Sequence, residues 1–347
     1  MGAIISLAHL NKTFRVADRP KGRLAGLRGL FARDMRTVAA VDDVSFDIQP
    51  GEIVGYLGPN GAGKSTTIKI MTGILVPSSG TVQVNGRVPW RERRAHVAGI
   101  GAVFGQRNTL WWDLPVQDSF ALLRHIYAIP SARYAANLAT FRDLLGLDEF
   151  IRQPVRTLSL GQLMRANLAG ALLHDPGIVF LDEPTIGLDI VAKERIRTFI
   201  RQINRERGAT VVLTTHDLSD VERLCERVIV IDHGRLIYDG RLAELITRYG
   251  GDRELQVDFA EDYLDVAVEG ARLFGREGRR ATYRFARAES SAADIIGRLS
   301  ARFQLDDLAV REPDIEETLR RIYEVGLLDV GSNSPGQAGA VAPETIC

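Results

Sequence analysis

Gly58-Pro59-Asn60-Gly61-Ala62-Gly63-Lys64-Ser65 fits G-x-x-x-x-G-K-S without substitution. Glycines let a backbone wrap tightly enough for successive N–H groups to point inward, and such a nest binds phosphate oxygens. Lys64 can reach the β- and γ-phosphates of a nucleotide, and the Ser65 hydroxyl is placed to ligate Mg²⁺. Thr66 joins this nucleotide-binding set at the start of the next helix, whose positive N-terminal end favours the same anion. A second chemical group is Asp182-Glu183, two carboxylates that close the apolar run Ile178-Val179-Phe180-Leu181. Asp182 is suited to hold Mg²⁺, directly or through water, and Glu183 to polarise a water for in-line attack on a γ-phosphate.

Both groups need strands that end where the chemistry begins. Ile53-Val54-Gly55-Tyr56-Leu57 reads as a strand into the loop and Thr66-Thr67-Ile68-Lys69-Ile70-Met71 as a helix out of it. After the carboxylates a helix is expected over 191–207, a strand over 210–214, a helix over 217–227 and a strand over 228–232. A turn at His233-Gly234-Arg235 follows. Strands alternating with helices imply a parallel sheet covered on both faces, an α/β core. Residues 1–16 and 38–57 read as strands at its edge. Residues 113–158 read as mainly helical, with an apolar period through Phe120, Leu123, Ile126 and Tyr127, then Leu138, Phe141, Leu144 and Leu145.

The expected organisation is a nucleotide-binding domain over 1–240, a small α+β accessory domain over 241–328, and a Gly-, Ser-, Pro- and Ala-rich tail over 329–347 expected to be disordered. A basic insert at 17–37 carries Arg19, Lys21, Arg23, Arg28, Arg33 and Arg36 beside Leu24, Leu27, Leu30 and Phe31. It reads either as an amphipathic strip for an anionic membrane surface or as a solvated loop.

Composition is that of an ordinary globular chain of 347 residues, 45% apolar and 25% charged, with zero formal net charge. Nothing in that balance argues for nucleic acid as a partner. No apolar run approaches the roughly 18–20 residues that cross a bilayer. Met1-Gly2-Ala3-Ile4-Ile5-Ser6 lacks the regions of a secretory signal. It fits a loose myristoylation pattern, but Ile4, Ile5 and Leu7 read better as the first strand. The two cysteines, Cys225 and Cys347, form no disulfide framework or metal cluster, which suits a reducing compartment, and Cys225 reads as a small buried apolar residue.

Leu158-Ser159-Leu160-Gly161-Gln162 opens a helix upstream of the carboxylates, and here the chain resembles the ATP-binding subunit of an ABC transporter. The family's signature is L-S-G-G-Q, and Leu160 replaces its first glycine. The other family elements follow in order. Gln106 fits the Q-loop, with a role on the Mg²⁺ and water side. Gly187-Leu188-Asp189 fits the D-loop, His216 the switch histidine that contacts γ-phosphate, and Phe14 the aromatic that stacks on adenine. The resemblance covers roughly residues 3–240. It implies a P-loop cassette with a RecA-like parallel core, an antiparallel β edge and a helical subdomain at about 113–158. ATP and Mg²⁺ are the implied ligands and ATP hydrolysis the implied reaction.

In this family ATP is sandwiched between two cassettes. Lys64, Ser65 and Asp182 would bind from one side, and Ser159, Gly161 and Gln162 of a second copy from the other, so a homodimer is expected. A polytopic membrane permease is the expected partner, with the chain peripheral on the cytoplasmic face. Arg107-Asn108-Thr109-Leu110-Trp111-Trp112-Asp113-Leu114-Pro115 lies where coupling helices dock. Thr185-Ile186-Gly187-Leu188-Asp189, the Leu-Trp-Trp-Asp-Leu-Pro segment and the C-terminal layout look most like ABC-2-type exporters of drug- or viologen-efflux kind. The alternatives are an importer cassette and a soluble, non-transport ABC ATPase. The cargo is not legible here, because its contacts would lie in the partner.

Overall fold

The computed structural model describes residues 2–17, 35–105, 107–286, 289–312 and 314–325. Most of the basic insert, Gln106, Cys347 and the 329–347 tail therefore lie outside the described residues. The chain divides into two compact units, between Glu244 and Leu245.

The first unit begins with β1 (Ile5–Ala17) and β2 (Met35–Ile48), paired antiparallel. β3 (Ile53–Leu57) then runs into the glycine loop, and α1 (Lys64–Met71) leaves it. β4 (Ser79–Val84) returns to the free edge of β1, completing an antiparallel sheet ordered β2-β1-β4. After α2 (Arg93–Val97) and β5 (Ile100–Phe104) come the helices α3 (Val116–Ile126), α4 (Ser131–Leu145) and α5 (Leu160–Leu172). β6 (Ile178–Asp182), α6 (Ile190–Arg207), β7 (Thr210–Thr214), α7 (Leu218–Leu224), β8 (Arg227–Asp232) and β9 (Arg235–Arg241) finish the unit.

The core sheet is ordered β5-β6-β7-β3-β8-β9, parallel except for β9. Its inner strands are covered on both faces, which is why β6 and β7 are unbroken apolar or Thr-Val runs rather than alternating ones. Ile68, Ile70 and Met71 of α1 join a single buried cluster with Tyr56, Phe180 and Ile229 of the core sheet and Ile5, Val44 and Val82 of the antiparallel sheet. The glycine loop thus sits on a rigid base between two sheets.

In the helical region Phe120, Phe141 and Leu145 are buried as the apolar period requires. Ile126 departs from it, being 62% exposed at the last turn of α3. Tyr127 instead stacks on His174, with ring centroids 4.0 Å apart. Cys225 is buried, but it caps α7 rather than lying within it, because the helix ends at Leu224.

The second unit takes in most of α8 (Leu242–Tyr249), then β10 (Arg253–Phe259), β11 (Arg272–Glu277), β12 (Arg280–Phe285), α9 (Ala292–Ser300), β13 (Leu305–Arg311) and α10 (Ile315–Val325). Its antiparallel sheet is ordered β11-β12-β10-β13. Leu255, Val257, Phe259, Tyr283 and Phe285 on one face pack with Ile295 and Leu299 of α9.

Candidate functional site

The glycine loop is built by close approach. A Cβ at Gly63 would lie 2.3 Å from the Ala40 carbonyl oxygen, and Gly63 has φ +105°, where side chains are rarely tolerated. Gly58 is equally confined, its Cβ position lying 2.3 Å from the Ile231 carbonyl. Within the loop Ala62 N–H donates to the Pro59 carbonyl at 3.2 Å. Gly63 caps α1 without a side-chain bond, so the first-turn amides of Lys64 and Ser65 are not taken up by a side-chain cap. Asn60 and Ser65 stand exposed at the loop's open side. This cradle fits the phosphates of a nucleotide.

Lys64 is buried, with its ammonium donating to the carbonyls of Gly58 at 2.5 Å and Pro59 at 3.0 Å. Burial pushes the ammonium below the usual lysine value, and the carboxylates of Glu183 and Asp182 push back. The charges of Asp182 and Glu183, at the end of β6, thus act on that of Lys64, at the start of α1. Asp182 Oδ1 accepts the Thr214 hydroxyl at 2.5 Å, across the β6–β7 pair. Among the described residues no cluster of three or more His, Cys, Asp or Glu forms a metal cage. The hydroxyl of Ser65 and the carboxylate of Asp182 are oxygen donors of the kind Mg²⁺ takes when phosphates complete its shell.

Glu183 leaves β6 with φ +55°, a sparsely populated conformation for a glutamate. Its N–H donates to the Thr214 carbonyl at 2.9 Å, and its Oε1 lies 2.6 Å from Nε2 of His216. Phe14 pairs with Val38 on the β1–β2 ribbon, two residues from the Ala40 carbonyl that lies against the loop, and the residue is 36% exposed. Lys12 lies 5.1 Å from the centre of that ring.

Ser159, Gly161, Gln162 and Asp189 form a second cluster, whereas Thr66 lies in the first turn of α1. Ser159 caps α5 in a reciprocal box, its hydroxyl accepting Gln162 N–H at 3.3 Å and its own N–H donating to Gln162 Oε1 at 2.9 Å. A Cβ at Gly161 would meet Ala192 at 3.5 Å and Leu188 at 3.9 Å. Asp189 caps α6, accepting Ala192 N–H at 2.8 Å. Leu160 is the first residue of α5 and does not have a positive φ, so a leucine sits there without backbone strain. The segment carrying Trp111 and Trp112 is held to that same helix, because Thr109 donates its N–H and hydroxyl to buried Asn167 at 3.0 and 2.9 Å. Thr214 belongs to none of the motifs; a threonine ending an apolar strand is the signal it carries in the sequence.

Residues 41–186 match the family described as ABC transporter. The Linearmycin resistance ATP-binding protein LnrL of Bacillus subtilis is 35% identical over 217 residues, covering 62% of this chain and 69% of that protein. The Nod factor export ATP-binding protein I of Ralstonia nicotianae is 36% identical over 251 residues, 72% of this chain and 74% of its own length. The dimeric post-hydrolysis structure of the ATP-binding cassette MJ0796, bound to ADP and Pi, superposes with a TM-score of 0.57 at 26% identity, over 69% of this chain and 98% of that one.

Proposed function

From its membership of the ABC transporter family, where it is an ATP-binding subunit and a transport-coupled ATPase, we infer that this chain drives an ABC-2-type membrane exporter. The observation that carries the ATP-driven part of this reading is the division of the site into two clusters. Lys64, Asp182, Glu183 and His216 gather around the glycine loop, while Ser159, Gly161, Gln162 and Asp189 gather at the start of α5 and α6. A second copy of the chain would bring its α5 start to this loop and close the site over ATP.

In that arrangement the loop amides and Lys64 hold the β- and γ-phosphates, and Phe14 stacks on the adenine. Ser65 and Asp182 would hold Mg²⁺, with Gln106 on its water side. When bound, the cation offsets charge on the phosphate oxygens. Glu183 takes the proton of the attacking water. His216, against that carboxylate, contacts the γ-phosphate. Closure on ATP and opening after hydrolysis make the power stroke, a two-state change biased by ligand.

Among the described residues no helix is long and apolar enough to cross a membrane. In this reading a polytopic ABC-2-type permease supplies the pathway, with the chain peripheral on the cytoplasmic face. Trp111 and Trp112 support a docking surface there, because they are 39% and 54% exposed and tryptophan is enriched at interface hot spots. Relatives named for Nod factor export and linearmycin resistance favour the outward direction.

The test is a detergent pull-down of tagged Glu183→Gln from native membranes with Mg-ATP. A stoichiometric polytopic partner of ABC-2 topology is the expected result. An importer-type permease, or recovery only with soluble ribosomes or nucleic acid, would overturn the exporter reading.

A further inference from the structure

A buried ionic cluster that the mechanism above does not use lies beside the hydrolytic pair. Asp220, on α7, is fully buried, 0% exposed. Its Oδ1 accepts from Nε of Arg197 at 2.5 Å, and Arg197 is itself buried on α6. Its Oδ2 accepts two hydroxyls, from Thr185 and, at 3.3 Å, from Thr215. Arg197 is held in turn by the Ser219 hydroxyl at 2.7 Å. Every donor around the carboxylate comes from a different piece of chain.

The two threonines place the cluster in the reaction. Thr185 lies two residues beyond Glu183, and Thr215 one residue before His216. Apolar packing of similar volume often stabilises a core as well as a buried ion pair does, so stability alone does not account for such a cluster. Hydrogen bonds add direction, because each fixes where its loop lies. Glu183 needs such fixing, since its positive φ is a strained conformation that persists only where the surroundings over-determine it.

We propose that Asp220, oriented by Arg197, is a positioning residue for ATP hydrolysis. It straps the Thr185 and Thr215 hydroxyls together and so holds Glu183 Oε1 against His216 Nε2 at 2.6 Å. The inference rests on Glu183 as the base.

Asp220→Ala would take the nearest carboxylate from buried Arg197, leaving Glu194 at 3.5 Å and Asp217 at 3.8 Å, and would endanger folding, so the strap is cut at a hydroxyl instead. Full-length Thr185→Val keeps shape and the Arg197–Asp220 pair but loses the bond, whereas Thr185→Ser keeps the bond. Mg-ATP hydrolysis by both, with melting temperature, is the measurement. For Thr185→Val the expected result is a kcat about 10- to 100-fold lower at a KM within about twofold of the parent, the scale of a small misplacement. Thr185→Ser is expected to recover kcat to within about threefold. An unchanged kcat in Thr185→Val, an equal loss in Thr185→Ser, or a loss confined to KM would each overturn the proposal. Glu183→Gln runs alongside: normal hydrolysis by that variant removes the base assignment itself, whereas slow hydrolysis by it beside a normal Thr185→Val removes only the strap.

Discussion

Nε2 of His216 and Oε1 of Glu183 meet at 2.6 Å from the ends of two neighbouring parallel strands, β7 and β6. The contact joins the proposed base to the proposed γ-phosphate sensor without an intervening residue. Glu183→Gln keeps the shape of the side chain and removes its basicity. It is expected to bind Mg-ATP with parental affinity and to hydrolyse it about 10²- to 10⁴-fold more slowly, the span of general-base catalysis. Single-turnover hydrolysis with labelled ATP checks this, and a parental rate would assign the base elsewhere.

Lys64→Ala removes the loop's point charge, which the neighbouring backbone amides do not replace. Thermal melts with and without Mg-ATP should show the ligand-induced rise in the parent and none in the variant. A bound nucleotide at about 100 times its Kd contributes about 2.7 kcal/mol, so the difference is well resolved. An undiminished rise would place phosphate binding on the amides alone.

The glycines of the loop should not tolerate alanine equally. Gly63→Ala sets a methyl 2.3 Å from the Ala40 carbonyl oxygen at φ +105°, whereas Gly61→Ala, at φ +86°, meets nothing within 4 Å. Strain alone costs about 1–3 kcal/mol, and only Gly63→Ala adds a backbone clash. Urea unfolding should therefore rank Gly63→Ala as the less stable of the two, and the reverse order would contradict this loop geometry.

Trp111→Ala should leave ATP binding intact and uncouple transport, if its exposed ring docks a permease. Reconstituted transport per ATP hydrolysed is the readout. Parental coupling would take Trp111 out of the docking surface.

Asp217 carries a pH dependence of stability. Burial pushes its carboxyl up, but bonds from Lys193, at 2.5 Å, and from Ser219 outweigh this and hold it below the usual 3.8. A carboxylate so lowered contributes stability above its unfolded value, and that contribution is lost as pH falls through the lower folded value. Lys193→Met should then be less stable than the parent at pH 7 by about 1 kcal/mol or less, the scale of a partly exposed pair. The gap should begin to narrow below about pH 4 and close only once pH has fallen through the lowered folded value. Urea midpoints across that range test it, and a gap independent of pH would show that Lys193 acts by packing.

The local features were legible in the chain itself. Glycine spacing specifies the phosphate cradle, an apolar run specifies β6 up to Asp182, and Ser159 with Gln162 three residues on specifies a helix start, because each depends on neighbours a few residues apart. The strands β11 and β13 carry no such local signal, for a physical reason. They are the two edges of their sheet, and exposed residues such as Arg272, Phe274, Asp307 and Arg311 replace the alternating apolar pattern that marks β10 and β12. Tertiary structure alone decided which distant groups meet. The order β6-β7-β3 sets Asp182 and Glu183 beside Thr214 and His216, and the packing of α6 on α7 buries Arg197 against Asp220 under Thr185 and Thr215. Such contacts follow from strand order and burial, and a parallel sheet pairs strands that are far apart in the chain, so no local pattern of residue types records them.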